Sequence, residues 1–321
     1  VEGVDDHTYT LWSIDDAEKI KERIYEVFQE ARITEDVEYR KELLTFVVCG
    51  GGFTGVEMIG ELKEWVSDLC NQYQIPEEEV ELILCEGLDN ILPNLDQELA
   101  MEATNYLKNQ GIRVKTGSFV NKVEENKLIM KDGEINSRTI IWTCGVQACN
   151  IAADSGLETD RGDRIRVNEY LQTVDYPNVY AIGDNAAVPS KDDGTLPALV
   201  EAAMQTGECA AENVYNDIMG KEKEKITPNL HGVMVSVGGE YAVAEVMGLS
   251  LKGKSAMMMK HMVNMHYLFD IGKFKKGFNF INEYIKEHGS RKGGLISQFF
   301  DHISVSHRAA FLVPLRIFLG I

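Results

Sequence analysis

Residues 45–61, TFVVCGGGFTGVEMIGE, constrain the fold of this chain more than any other stretch. Thr45 to Cys49 is an apolar, β-branched run, the pattern of a parallel strand covered on both faces. Gly50, Gly52 and Gly55 follow at G-x-G-x-x-G spacing, with Phe53 among them, and a helical pattern comes next. In such a strand–turn–helix the first glycine permits a tight turn. The second lets backbone approach a pyrophosphate, and the third lets the helix pack close to the strand. Free N–H groups and the partial positive charge of the helix N-terminus favour that phosphate. The spacing alone also occurs in ordinary glycine-rich αβ turns. Here the context is specific: a strand before, a helix after, and a second strand ending in an acid.

That second strand is Val80–Cys85, and Glu86 ends it. An acid in this place hydrogen-bonds the adenosine ribose and repels a 2′-phosphate, which favours NADH over NADPH. Glu86 lies further from the glycines than the roughly 20 residues usual for the fingerprint. A long helix, 54–73, and a polar connector, 74–79, account for the extra length. The competing reading of Glu86 is a surface acid that merely ends a strand.

At 321 residues the chain is long enough for two lobes and an appendage. A net charge of −19 and the lack of a basic recognition motif argue against nucleic acid as a partner. The six cysteines form no C-x-x-C, and neither they nor the histidines have metal-ligand spacing, so no metal is expected and reduced thiols fit best. The chain starts at Val1 and stops in the apolar run Ala309–Ile321, which is too short to span a bilayer; both ends are expected to be cut from a longer protein.

A helix is expected from Ser13, whose Ser-Ile-Asp-Asp resembles a capping sequence. After Glu86 come a helix over 95–109, a strand over 112–115, a meander around Asp132-Gly133 and a strand over 139–143. Short strands are expected at 165–167 and 178–182, a helix over 197–218, β-structure over 231–252, and a Met-rich helix over 255–269. From Phe269 onward the charge balance reverses, with eight Lys or Arg against four Asp or Glu. Basic residues mixed with Phe, Ile and Leu suggest an amphipathic element at a membrane surface; a solvated helical hairpin is the alternative.

The next specific motif is NVYAIGD, 178–184. Gly183 lets a ligand lie against backbone, and Asp184 offers a carboxylate to hydroxyls. With the glycine-rich lobe before it, this resembles the two-dinucleotide-binding-domain flavoproteins. Trp142-Thr-Cys144-Gly145 is similar to the crossover between their NAD and FAD lobes. Within that superfamily the chain most resembles the type II, non-proton-pumping NADH dehydrogenases. GGGFTGVEMIGEL (50–62), WTCGVQ (142–147), NVYAIGDNAA (178–187) and MMMKHMVNMHYLFDIGKFKKGFNFI (257–281) carry the resemblance, which covers about 1–285.

The resemblance implies an α/β fold of two dinucleotide-binding domains, a Rossmann-like NAD lobe plus the remainder of an FAD lobe. It also implies a C-terminal amphipathic, membrane-facing helical segment. The expected divisions are 1–44 as linker and helix, 45–142 as the NAD lobe, 143–225 as the FAD-lobe remainder, and 226–321 as sheet and membrane segment. It implies NADH and FAD as cofactors, with Gly50, Gly52, Phe53, Gly55, Glu86, Cys144, Gly145, Gly183 and Asp184 in the two nucleotide sites. It further implies hydride transfer from NADH to FAD and two electrons to a quinone, menaquinone or ubiquinone. The protein is then expected at the cytoplasmic face of the cell membrane, bound peripherally and possible as a homodimer. Glu57 is expected near the nicotinamide and flavin, although a helix-start acid favoured by the dipole is the plainer reading.

Two departures stand out. The family's N-terminal FAD lobe is expected to lie outside this chain, so the isolated chain is expected to hold FAD weakly or not at all. In addition, the family's quinone-pocket stretch A-Q-x-A-x-Q aligns with 200–205, where Gln205 matches the second glutamine and Glu201 replaces the first. An ionised Glu201 only accepts hydrogen bonds, whereas a protonated one could donate to a quinone. A solvent-facing helix residue is the other reading of Glu201. Two related activities stay open on sequence alone: an NADH-dependent reductase of a protein electron carrier, and one of a disulfide or peroxide. A sensor that binds NADH only as a ligand fits poorly with an intact Gly183-Asp184.

Overall fold

The computed structural model describes residues 1–145, 148–149, 151–160, 162–190 and 194–270. Of the segment expected to face a membrane, from Phe269 onward, residues 271–321 lie outside them. The described chain forms two compact units, one of Val1–Cys144 with the residues from Gly232 onward, the other of Gly145–His231.

A turn of helix, α1 (Val4–His7), and a two-residue strand, β1 (Tyr9–Thr10), open the first unit. α2 (Ile14–Ile33) begins at the expected cap. Ser13 Oγ accepts from Asp16 N and an Asp16 carboxylate oxygen accepts from Ser13 N, both at 3.1 Å. Its apolar stripe, including Ile20, Ile24, Val27 and Phe28, is wholly buried, each such side chain stabilising the fold by about 1.5–3 kcal/mol. α3 (Val37–Leu43) leads into β2 (Thr45–Cys49), buried along its whole length.

Then come α4 (Phe53–Tyr73), β3 (Glu81–Cys85), α5 (Gln97–Asn109), capped by Asp96, and β4 (Arg113–Lys115). A three-stranded meander follows, β5 (Val120–Glu124), β6 (Lys127–Met130) and β7 (Gly133–Asn136), before β8 (Thr139–Trp142). The main sheet has five parallel strands in the order β1-β8-β2-β3-β4. Cys49 is in register with both Cys85 and Trp142. Three strands therefore end level, delivering Gly50, Glu86 and Thr143 to one edge. In open α/β sheets ligands bind outside that carboxyl edge.

The second unit contains α6 (Ile151–Asp154), β9 (Ile165–Arg166), β10 (Ala186–Ala187) and α7 (Val200–Ile218) around a core that includes Leu171, Val188 and Ala202. The strand expected over 178–182 does not form as a regular strand. Tyr180 makes a single bridge with Gln172, flanked by Thr173 N to Val179 O at 2.8 Å and Ala181 N to Leu171 O at 3.1 Å. Leu171 lies at φ +67, outside the extended region, so its partner segment leaves the ladder there.

The chain then returns to the first unit. β11 (Gly232–Gly238), β12 (Tyr241–Val246) and β13 (Leu249–Gly253) form an antiparallel sheet, and α8 (Lys254–Asp270) packs Ala256 and Met257 on Ala242 and Ala244. α4 lies against β11 at Gly60, where a Cβ would stand 2.5 Å from the Val237 carbonyl. Only glycine allows that approach.

Candidate functional site

The glycine turn is built as its spacing predicts. Gly50 sits at φ +109, a conformation that favours glycine, and its N–H donates to Cys85 O at 2.8 Å. A Cβ on Gly55 would lie 1.8 Å from Gly50 O, so the third glycine is required for α4 to start where it does. Gly52 is different: it is the N-cap of α4, no side chain caps it, and a Cβ there would meet nothing within 4 Å. Its face is open to a ligand, with the uncapped N–H groups of α4 behind it. Phe53 is the first residue of the helix. Thr143 Oγ1 donates to Cys49 O at 2.8 Å and lies 3.2 Å from Gly50 O, tying β8 to the turn.

Glu86 is held beside this turn. One carboxylate oxygen accepts from Gly51 N at 2.6 Å and the other from Leu88 N at 2.8 Å. A carboxylate has about four acceptor positions, so room for ribose hydroxyls remains. Gly51, outside the spacing rule, is also constrained: a Cβ would meet Ile91 Cγ2 at 2.8 Å and Glu86 at 3.0 Å. Cys144 Sγ would lie 3.1 Å from a Cβ on Gly50, which places Cys144 against the same turn. All six cysteines are free thiols.

Glu57 does not sit at the opening of α4 as a dipole-favoured acid. It is 4% exposed, and its Oε1 accepts from Ser236 N and Ser236 Oγ, both at 3.1 Å. Lys260 Nζ donates to the same oxygen and to Ser236 Oγ at 3.0 Å. A buried carboxylate is thus paired with a largely covered ammonium from α8 and fixed by backbone from β11. Removing one partner of such a pair costs about 3–5 kcal/mol, because the other charge is left buried. Neither Ser236 nor Lys260 stood out in the sequence; the available signal was a lone lysine inside the run MMMKHMVNM. Beside the pair, burial and the carboxylates of Glu57 and Glu64 push Glu61 up to about 7, with Lys260 opposing. Burial and Lys260 push His261 down to about 4, and its Nε2 is buried without a partner among the described residues.

In the second unit Gly183 and Asp184 form a 3₁₀ turn against α7. Gly183 is at φ +60, and its N–H donates to Thr206 Oγ1 at 3.1 Å. Burial raises the Asp184 carboxyl, with Arg164 opposing, and both line a small cavity with Gly183, Leu196, Ala202 and Thr206. The N-cap of α7 is Leu199, which cannot cap, so the N–H groups at this helix start are free for an anion or carbonyl. Gly145 opens this unit at φ +85.

Glu201, in the first turn of α7, accepts from His231 N at 2.9 Å and is paired with His231 Nδ1. Gln205 is clamped at both ends by Asn229, donating to its carbonyl at 2.9 Å and accepting from its N–H at 2.8 Å. His231, passed over for lack of ligand spacing, is therefore the partner of Glu201. Among the described residues no group of side chains could hold a metal ion, and no helix is long and apolar enough to cross a membrane.

Two consequences are measurable. Gly55→Ala is expected to destabilise the protein by about 1–3 kcal/mol through overpacking, whereas Gly52→Ala changes stability by less than about 1 kcal/mol. Gly52→Ala nevertheless weakens NADH binding in calorimetry by about tenfold or more, since its Cβ occupies the pyrophosphate side of the turn. Glu61 keeps its proton in the fold at pH values where the unfolded chain, at 4.5, has lost it. Its contribution is therefore most favourable below about pH 4.5, and about 1–3 kcal/mol is lost as pH rises through about 7. Denaturant titrations of Glu61→Gln should lack that loss.

The sequence profile of the pyridine nucleotide-disulphide oxidoreductases matches residues 1–207. Type II NADH:quinone oxidoreductase of Staphylococcus saprophyticus is 29% identical over 286 residues, 86% of this chain and 70% of that protein. The protein of the same name from Staphylococcus aureus is 30% identical over the same 286 residues and the same shares. The structure of NDH2 from Plasmodium falciparum in complex with NADH superposes with a TM-score of 0.75, covering 84% of this chain and 71% of that one. At 18% identity this last likeness speaks for the fold. The chain belongs to the pyridine nucleotide-disulphide oxidoreductases and, among them, to the type II NADH:quinone oxidoreductases.

Proposed function

We propose that this protein oxidises NADH with FAD as its bound cofactor and passes two electrons to a membrane quinone without pumping protons. The observation that carries the reading is the turn at Gly50–Gly55, open only at Gly52 and flanked by the fixed Glu86. Gly52 and the α4 N-terminus receive the NADH pyrophosphate. Glu86, already held by Gly51 and Leu88, keeps its remaining lone pairs for the adenosine ribose and repels a 2′-phosphate.

Gly183, Asp184 and the uncapped start of α7 fit a second dinucleotide. Asp184 would bind hydroxyls of FAD, and the free N–H groups of α7 would favour negative charge there. Cys144 and Gly145 form the crossover between the two sites. Bound FAD supplies the two-electron acceptor that protein side chains lack.

Glu57 and Lys260 meet at one carboxylate oxygen, and we assign them to orienting NADH and relaying protons during turnover. Glu201, in contact with His231, and Gln205, with one amide hydrogen beyond its Asn229 clamp, are assigned to the quinone headgroup. Quinone solubility in lipid places the protein peripherally at a membrane, on the cytoplasmic face where NADH is made. The type of quinone and a homodimeric state belong to this proposal as well.

Rapid mixing of the flavin-loaded protein with NADH and a short-chain quinone tests the reading. Expected are flavin bleaching by NADH, its reversal by quinone, and a KM for NADPH at least about tenfold above that for NADH. Bleaching that oxygen or a protein carrier reverses but quinone does not would move the acceptor elsewhere.

A further inference from the structure

Glu57, Glu61 and Glu64 occupy one face of α4, at i, i+4 and i+7, where neighbouring Cβ atoms stand about 5–6 Å apart. That face follows β11 residue by residue. Glu57 bonds Ser236, Gly60 touches Val237, and Glu64 lies 3.6 Å from Cβ positions on Gly238 and Gly239. The row therefore starts in the core, at a 4% exposed carboxylate, and ends at the β11–β12 turn, where Glu240 is exposed. Glu61 stands between. Among the described residues its carboxyl has no hydrogen bond or ion pair, although Glu57, Lys260 and Glu64 all act on it.

We propose that Glu61 is the relay acid that carries protons from the solvent edge at Glu64 to the buried Glu57–Lys260 pair. The proposal rests on the reading of that pair as a proton-handling group in NADH:quinone reduction. NADH, one proton and quinone give NAD⁺ and quinol, so each turnover draws one proton from solvent. The Glu61 carboxylic acid gives its proton to the Glu57 carboxylate, directly or through one water, leaving a Glu61 carboxylate and a neutral Glu57. Solvent then reprotonates Glu61 by way of Glu64; no electrons move in this exchange.

The titratable groups facing Glu61 are Glu57 and Glu64 from its own helix and Lys260 from α8; the neighbouring stretch of β11 supplies only Ser236, Val237 and glycine. On α5, Tyr106 faces Glu64. The two carboxylates favour a protonated Glu61, Lys260 limits that preference, and the group exchanges its proton near pH 7, as a relay at neutral pH requires.

Infrared difference spectra between acid and alkaline pH, with steady-state kinetics on the same flavin-loaded samples, test the assignment. Wild type should show a carboxyl C=O band that titrates near pH 7, and the isosteric Glu61→Gln should lack it. Quinone-dependent kcat of Glu61→Gln should fall about tenfold at pH 7.5 with KM for NADH unchanged, and Glu61→Asp should restore most of it. A band that persists in Glu61→Gln overturns the proposal. So does a Glu61→Gln profile identical to wild type, or Asp and Gln variants that are equally slow. Wild type that fails to reduce quinone refutes the parent reading instead, and the infrared titration still reports on Glu61.

Discussion

The close backbone approach of α4 to β11 at Gly60 is the constraint on which the buried chemistry depends. A side chain at Gly60 would separate the two elements, and Glu57 would lose the Ser236 N–H that fixes its carboxylate. Without that anchor, Lys260 from α8 would have no preorganised partner. One absent Cβ thus lets a helix, a strand and a second helix, from sequence positions about 200 residues apart, share one oxygen. Low dielectric makes the pair strong and also makes its loss costly.

The acids of this chain are sorted by what holds them, and that sorting separates structure from chemistry. Glu86 is held by backbone N–H groups and ties the glycine turn to the loop that follows β3. Glu201 is held by a histidine and Glu57 by a lysine, so each sits beside a proton donor. Asp184 and Glu61 have burial but, among the described residues, no hydrogen-bonded partner, and both bind protons more readily than ordinary carboxyls. A net charge of −19 conveys none of this.

The local signals in the sequence were legible where the backbone itself sets the geometry. Gly50, Gly52 and Gly55 act through φ angles and missing side chains, and their spacing encodes both. The same holds for Ser13 and Asp16, whose reciprocal cap spans three residues. Long-range pairings left no such trace. Lys260 reads as an interruption in a methionine run, Ser236 as one residue of an alternating strand, and His231 as a histidine without ligand spacing. Nothing near Glu57 announces that 203 positions later a lysine returns to it. The strand expected over 178–182 failed for a related reason: its partner segment turns away at Leu171, which no property of 178–182 reveals.

A double-mutant cycle of Glu57→Gln and Lys260→Met, read on quinone-dependent turnover, tests most directly whether this pair is the working centre of the first unit. Groups that act as one unit are strongly non-additive. The double variant should then be no slower than the slower single variant. Losses that multiply, or single variants that turn over at the wild-type rate, would contradict the account and reduce the pair to a structural tie between α4 and α8.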